Sequence, residues 1–411
     1  MAALRRRPES AAHRPALAPF RETPLMNALS RRVLPGLIAL AAAAAQGPAL
    51  ATTPLYGVTD LGDFYPTGVN DSAWVTGYDG RALLWRPGIG ITDLGVFGTP
   101  PTGAVSNRAN AVNNAGQVVG FTWSTAETAY RAFLWQENSG LVDLGDLPGG
   151  SDYSRADAIN AHGAVAGRAG GQFVSHPSFG NLSFNHAVHF AAPDVLTDLE
   201  ARPEGTLSSI ARGINDFEVV VGERDGSFGT RAIVWDAGAA TDLGALWGVV
   251  PAGSQSFARD VNNHGQVALQ LPLAAGGSTA AIWQQGVGFT EIGRLTGATN
   301  ASASAINDAG QAVGFAGPYG VAGTRAWLWT AGEGLQDLND LLDPALGAGW
   351  LVLDANAISE SGLVAGRGWH PSLGYRAILM TPVPEPASAL LLAGGIAALL
   401  ARRRRAVLAG D

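Results

Sequence analysis

Ala111-Val112-Asn113, Gly116-Gln117-Val118-Val119-Gly120, Arg131-Ala132-Phe133-Leu134-Trp135 and Asp143-Leu144-Gly145 are four short pieces whose order recurs along the chain. The unit Asn stands at 70, 113, 160, 215, 262 and 307, and Ser359 takes the seventh place. The spacings run from 43 to 55 residues, the length of a propeller blade and too long for one solenoid coil. The third piece returns at Arg81–Trp85, Arg231–Trp235 and Arg325–Trp329, with degenerate versions at His186–Phe190, Thr279–Trp283 and Arg376–Met380. The seventh unit ends without its Asp-Leu-Gly, while Asp60-Leu61-Gly62 stands alone ahead of the first Asn. This circular offset is what a ring requires if its first strand completes its last blade, leaving few exposed sheet edges. The expected fold is therefore all-β, a seven-bladed β-propeller closed by the N-terminal strand, with a β-solenoid as the alternative.

Side-chain alternation agrees. Arg131, Phe133 and Trp135 share one face of a strand and Ala132 and Leu134 the other. Small Ala on one face and large aromatics on the other would let successive blades interlock. Asn113-Asn114-Ala115-Gly116 and Asn307-Asp308-Ala309-Gly310 have the chemistry of β-turns, so each unit reads as a four-stranded antiparallel meander. The fifth unit departs most: it has Leu269 where the others close on Gly and Thr279 where they have Arg, so that blade is expected to pack differently.

The repeat resembles the HAF repeat of bacterial extracellular proteins, named for a His-Ala-Phe-like piece where this chain has Arg131-Ala132-Phe133 and His186-Ala187-Val188. The resemblance covers about residues 55–380, within a repeat domain drawn at 52–380. It implies export and supplies no catalytic residues.

Both ends read as processing signals. Residues 26–51 carry basic Arg31 and Arg32, an apolar stretch from Val33 to Ala45, and Ala49-Leu50-Ala51, the pattern of a secretory signal peptide cleaved before Thr52. Residues 1–25, with five Arg and four Pro, make an oddly long leader, so translation is expected to start at Met26. Toward the other end stand Val383-Pro384-Glu385-Pro386, an uncharged stretch 387–401 and Arg402, Arg403, Arg404 and Arg405, ahead of a tail at 406–411. The stretch is short for a bilayer but could serve as a transmembrane helix whose arginines stay in the cytoplasm. Residues 381–405 resemble the PEP-CTERM sorting signal of Gram-negative bacteria that make exopolysaccharide. The resemblance implies an exosortase as partner besides the secretion machinery, a transient inner-membrane intermediate, removal of the tail, and delivery to the cell surface or outside the cell.

Composition narrows the chemistry. The 411 residues contain no Cys, which excludes disulfides, thiolate catalysis and Cys-ligated metals. Every basic residue is Arg, and residues 52–386 hold 15 of them against 31 acids, so no nucleic-acid partner is expected. No nucleophile elbow, P-loop, dinucleotide fingerprint, His-Glu-x-x-His or EF-hand loop is present. No cofactor is expected, although the many acids leave calcium open.

The third unit carries an insertion, Gly170–Asn185, in which Phe173, His176, Phe179 and Phe184 could form an aromatic loop that binds sugar rings. A loop packed on its own blade is the plainer alternative. His186 and His189 would face opposite sides of a strand, which disfavours a shared metal. The recurring Asp suits a turn or a cross-hairpin pair with the Arg that precedes it better than a ring of catalytic acids. The expectation is a non-enzymatic binding or structural module associated with exopolysaccharide or biofilm matrix. The alternative is a polysaccharide lyase or glycoside hydrolase on the same scaffold.

Overall fold

The computed structural model describes residues 54–98, 106–124, 128–171, 174–176, 180–182, 184–200, 206–226, 229–248, 253–318 and 323–383. Seven four-stranded antiparallel sheets follow one another in the chain, and their inner strands touch in cyclic order, last to first. Blade 2 shows the pattern: Arg108–Val112 innermost, then Val118–Ser124, Ala129–Gln136 and Gly140–Asp143. Blade 7 takes three strands from the end of the domain and its outermost, Tyr56–Gly62, from the beginning. That strand pairs with Gly374–Pro382, from Tyr56 opposite Pro382 to Gly62 opposite Ala377. The closed propeller expected from the circular offset is the observed fold.

Blades interlock as the alternating residue sizes require. The Ala of the third piece is fully buried in all seven blades, at 82, 132, 187, 232, 280, 326 and 377. Ala82 lies in one cluster with Phe133 and Trp135 of the next blade, Ala132 with Phe190, and Ala280 with Trp327. Small-against-large packing of this kind leaves no voids and gains about 25 cal/mol for each Å² of apolar surface it removes from water. The fifth blade keeps the common strand order, with Leu269 fully buried and Thr279 donating to Glu291 at 3.0 Å where blades 1, 3, 6 and 7 set Arg or His against Asp.

The recurrent Asn welds the blades together. Its Oδ1 accepts two backbone N–H groups of its own turn, as at Asn160, bonded from His162 and Ala164 at 3.0 and 2.9 Å. Its Nδ2 donates to the backbone carbonyl of the Asn position in the next blade. The chain runs Asn70 to Asn113, Asn113 to Asn160, Asn160 to Asn215, Asn215 to Asn262, Asn262 to Asn307 and Asn307 to Ser359, at 2.9–3.1 Å. Ser359 has no amide to continue it, so the circle is open where blade 7 meets blade 1. A second bond bridges that seam, from the Ser361 N–H to the Asp71 carboxylate at 2.7 Å.

Each inner strand also carries one β-bulge at the same place, three residues before the Asn position. The unpaired residues are Thr67, Asn110, Asp157, Arg212, Arg259, Ser304 and Asn356. The closing Gly of the second piece makes room for the bend. A Cβ at Gly120 or Gly222 would run into the carbonyl oxygen of Arg108 or Ile210 on the bulged strand. Behind the bulges, the central channel has a layer of small residues, broken only by Asp260, then a ring of Val69, Val112, Ile159, Ile214, Val261, Ile306 and Ile358, and then the Asn ring. Asp260 accepts from the N–H groups of Val261 and Ile306, each at 2.9 Å. Burial outweighs those bonds and pushes its carboxyl up to about 6.

Replacing Ser359 by Asn should complete the circle and stabilise the fold by about 1 kcal/mol. Asn160→Ala should cost about 2–3 kcal/mol, because it leaves buried backbone groups unpaired. Urea unfolding monitored by tryptophan fluorescence reads both. Asp260 generates a pH prediction. A carboxyl held above its unfolded value binds its proton more tightly when folded, so its contribution is fully present below about pH 4 and is lost as pH rises through about 6. The difference in unfolding free energy between Asp260→Asn and the parent, from urea titration, should therefore move in the variant's favour from about pH 4 to about pH 7.5, by up to about 3 kcal/mol. A pH-independent difference would show that this carboxyl titrates normally.

Candidate ligand-binding face

The propeller has two unlike faces. On one, the Asn turns present Asp71, Asn114, Ala161, Asp216, Asn263, Asp308 and Glu360, the residues that follow each Asn position. They bond to one another between blades: Asn263 reaches Asp216 and Asp308 at 2.9 Å each, and Asn114 reaches Asp71 at 2.7 Å. Burial, together with the charges of Asp308 and Asp71, raises the Glu360 carboxyl. Burial also opposes ionisation of Asp71, but bonds from Ser361 and Asn114 hold its carboxyl below the usual range. This acidic rim is spent on joining blades.

The opposite face is built differently. There the central channel opens into a cavity of about 560 Å³ lined by the bulge residues Asn110, Asp157, Arg212, Arg259, Ser304 and Asn356, with Gln270, Asn300, Ser302 and Phe315 beside them. A bulge leaves its residue outside the ladder and re-aims its side chain, here toward the axis. The neutral members are anchored across blades: Thr67 donates to the Ala109 carbonyl at 2.6 Å, Asn110 to that of Ala156 at 2.8 Å and Asn356 to that of Pro66 at 3.1 Å. The charged members form a chain of alternating sign. Arg168 lies 3.5 Å from Asp157, Arg212 lies 4.0 Å from Asp157, Arg212 Nε donates to Glu223 at 3.0 Å, and Arg259 lies 3.9 Å from Glu223. Burial alone would lower the Arg212 pKa, but the charges of Asp157 and Glu223 hold it above its ordinary value.

Aromatic side chains flank this mouth on blades 7, 1, 2 and 3. Five of the seven tyrosines, at 65, 78, 130, 153 and 375, stand at the strand ends on this face. Tyr65 stacks on Tyr78 at 5.2 Å between ring centroids, with Arg367 over the first ring and Arg108 over the second. These rings, with Tyr375 and Arg376, wall a groove of about 390 Å³ at the seam of blades 7 and 1. Between blades 2 and 3, Arg155 sits over Phe121, Tyr130 and Tyr153 at 4.0–5.2 Å, and burial lowers its pKa. Trp369 and Tyr375 are 38% and 53% exposed.

The insertion of blade 3 emerges on the same face, as a hairpin of Val174–His176 and Gly180–Leu182. Its base is closed by the Gly171 N–H donating to the Phe184 carbonyl at 2.7 Å. His176 lies on the first strand of that hairpin, while Phe173 and Phe179 fall outside the described residues. His186 and His189 do not converge: His186 sits 2.6 Å from Asp198, and His189 stands opposite Thr197 on the outer strand. Among the described residues, no group of three or more His, Asp or Glu is arranged to hold a metal ion.

The recurrent Asp mostly caps its own turn. Asp60, Asp93 and Asp143 each accept the N–H of the Gly two residues on, at 2.8–2.9 Å. The expected cross-hairpin partner is reached by Arg325 at 2.9 Å from Asp337, by Arg81 at 3.7 Å from Asp93 and by Arg376 at 3.9 Å from Asp60. Arg131 departs from the pattern and bonds Asp146 at 2.7 Å instead. Val383 closes the described chain, its N–H bonded to the Leu55 carbonyl at 2.7 Å. Ala49, Ala51, Pro384, Glu385, Pro386, Arg402–Arg405 and the apolar stretch 387–401 lie outside the described residues. Among the residues that are described, no helix is long and apolar enough to cross a membrane.

Comparison with solved structures returns other proteins at low identity. Virginiamycin B lyase from Staphylococcus aureus is 11% identical with a TM-score of 0.49, over 80% of this chain and 100% of that one. TolB from Acinetobacter baumannii is 12% identical with a TM-score of 0.38, over 70% and 61%. The Aleuria aurantia lectin, solved with a fucosylated sugar, is 12% identical with a TM-score of 0.37, over 68% and 96%. Likenesses this distant bear on neither ligand nor activity. No curated protein matches the chain in sequence. The PEP-CTERM protein-sorting motif matches residues 382–405, starting at the last residue of the strand that closes the ring. The chain thus carries the signal of an exported protein processed by an exosortase, attached directly to the end of a β-propeller.

Proposed function

We propose that the chain is a glycan-binding module of the cell surface or extracellular matrix, acting by binding rather than by catalysis. The observation that carries this reading is the polar mouth of the channel, where six bulge residues line the cavity and Trp369 and Tyr375 stand exposed on the same face. Amides and hydroxyls suit the hydroxyl groups of sugars, and exposed aromatic rings suit their apolar faces. The sorting signal supports the location, since such signals accompany exopolysaccharide production, and the producer's own exopolysaccharide is the natural ligand. The resemblance of the repeat to the HAF repeat agrees with an extracellular role. Glycosidases work with two carboxylates flanking the scissile bond. At this mouth Asp157 and Glu223 are separated by Arg212 and engaged by guanidinium groups, which favours binding over bond cleavage.

Size-exclusion chromatography of the purified chain with the producer's exopolysaccharide tests the proposal. Protein should move into the polymer fraction while the polymer keeps its size. A polymer shortened by the protein would replace the binding reading with a lyase or hydrolase. Two peaks that ignore each other would remove the polysaccharide as ligand.

A further inference from the structure

The seven bulges are one structural position repeated around an axis, and their side chains differ while their surroundings do not. The residue before the bulge is Ala in six blades and the residue two after it is Val or Ile in all seven. The bulge residue itself runs Thr, Asn, Asp, Arg, Arg, Ser, Asn. Packing holds the flanks constant. The bulge residue varies, and at the channel mouth it bonds to the neighbouring blade or joins a chain of ion pairs while one side of it faces the cavity.

Two of those residues are adjacent arginines, Arg212 in blade 4 and Arg259 in blade 5, and both line the cavity. In the chain of ion pairs along this wall, three guanidinium groups, of Arg168, Arg212 and Arg259, meet two carboxylates, of Asp157 and Glu223. The cavity lining itself holds Arg212 and Arg259 against Asp157, one positive charge in excess. Asp260 does not cancel it there. It lies behind the bulge ring, is bonded to Val261 and Ile306, and feels the charge of Asp308 on the opposite face. The surplus stands out because residues 52–386 hold 15 Arg against 31 acids, a strongly negative balance overall. Guanidinium groups bind carboxylates through paired hydrogen bonds that an ammonium or an amide cannot match. The rest of the lining is amide and hydroxyl, and 560 Å³ falls in the usual range of small-ligand pockets, roughly 300–1,000 Å³.

We propose that this mouth binds an acidic glycan, with Arg259 holding a uronate carboxylate beside the Glu223-bound Arg212, while Asn110, Asn300, Asn356 and Gln270 bond the ring hydroxyls. The inference rests on the glycan-binding reading above and names its ligand class. Tyr375, 53% exposed in the neighbouring groove, offers stacking surface to a flanking sugar of the same polymer. Because the attraction is partly ionic, binding weakens as salt rises.

Isothermal titration of the purified full chain against a galacturonate trisaccharide and against the neutral galactose trisaccharide of the same linkage tests the proposal. The uronate should bind about tenfold or more tightly, and Arg259→Gln should abolish that advantage, read as the ratio of the two affinities. A thermal melt checks that the variant is folded. Should Arg259→Gln fail to fold, Asn300→Asp sets a repelling carboxylate at the same cavity from a partly exposed loop position and should also remove the preference. Equal affinity for the two sugars overturns the acidic class and leaves the glycan reading standing. A uronate preference that survives both substitutions overturns the site. If neither trisaccharide binds while the protein still co-migrates with the exopolysaccharide, the acidic-sugar site is wrong and the glycan reading survives. If co-migration fails as well, both fall.

Discussion

A buried amide that faces two ways holds the ring together. On one side the unit Asn folds its own turn, its oxygen taking two backbone N–H groups; on the other its nitrogen reaches the next blade's carbonyl. Only an amide combines acceptor and donor at that distance, which accounts for Asn in six blades. The same side chain sets both the local bend and the angle to the neighbour. Everything radial depends on it: the Ala-to-aromatic packing between sheets, the narrowing of the channel into an apolar ring, and the width of the mouth at the far end. The one Ser falls at the seam where the first strand joins the last blade, and there the Asp71 carboxylate takes over the bridging through Ser361.

Architecture was largely legible in the sequence because it is written in repeated residues. Six Asn and one Ser in register, and an Asp-Leu-Gly displaced from the end to the beginning, prescribe seven sheets and their mode of closure. The fifth unit shows how far a blade tolerates loss of its marks: with Leu269 and Thr279 in place it still forms the common sheet and the common bulge. Packing of the apolar faces, not the marker residues, decides that a sheet forms.

The ligand-facing ring was not legible, for a physical reason. A bulge is a slip in the hydrogen-bond ladder, and no residue type is needed to make one. Thr67, Asn110, Asp157 and Arg212 share no chemistry, so a search for recurring residues passes over them. The available signal was negative: a varying position that follows Ala in six blades and stands two residues before a Val or Ile that leads into the Asn position. Length did reveal the blade 3 insertion, which the fold places beside the mouth. The Arg–Asp pairing was foreseen by spacing, but Arg131 reaches Asp146 instead, since a side chain at a strand end chooses among several carboxylates at similar distance.

Closure by the first strand sets an order of events in time. Tyr56 and Pro382 are ladder partners although they stand at opposite ends of the domain, so the pairing that seals the ring has nearly the greatest sequence separation the domain allows. Contacts of that kind form late, because the whole intervening chain must be ordered before they repay its lost freedom. For an exported protein this is an advantage. While the chain crosses the membrane, blade 7 does not yet exist and the opening strand has nothing to pair with. The ring therefore locks only after its last strand has been delivered, and that strand runs straight into the sorting motif.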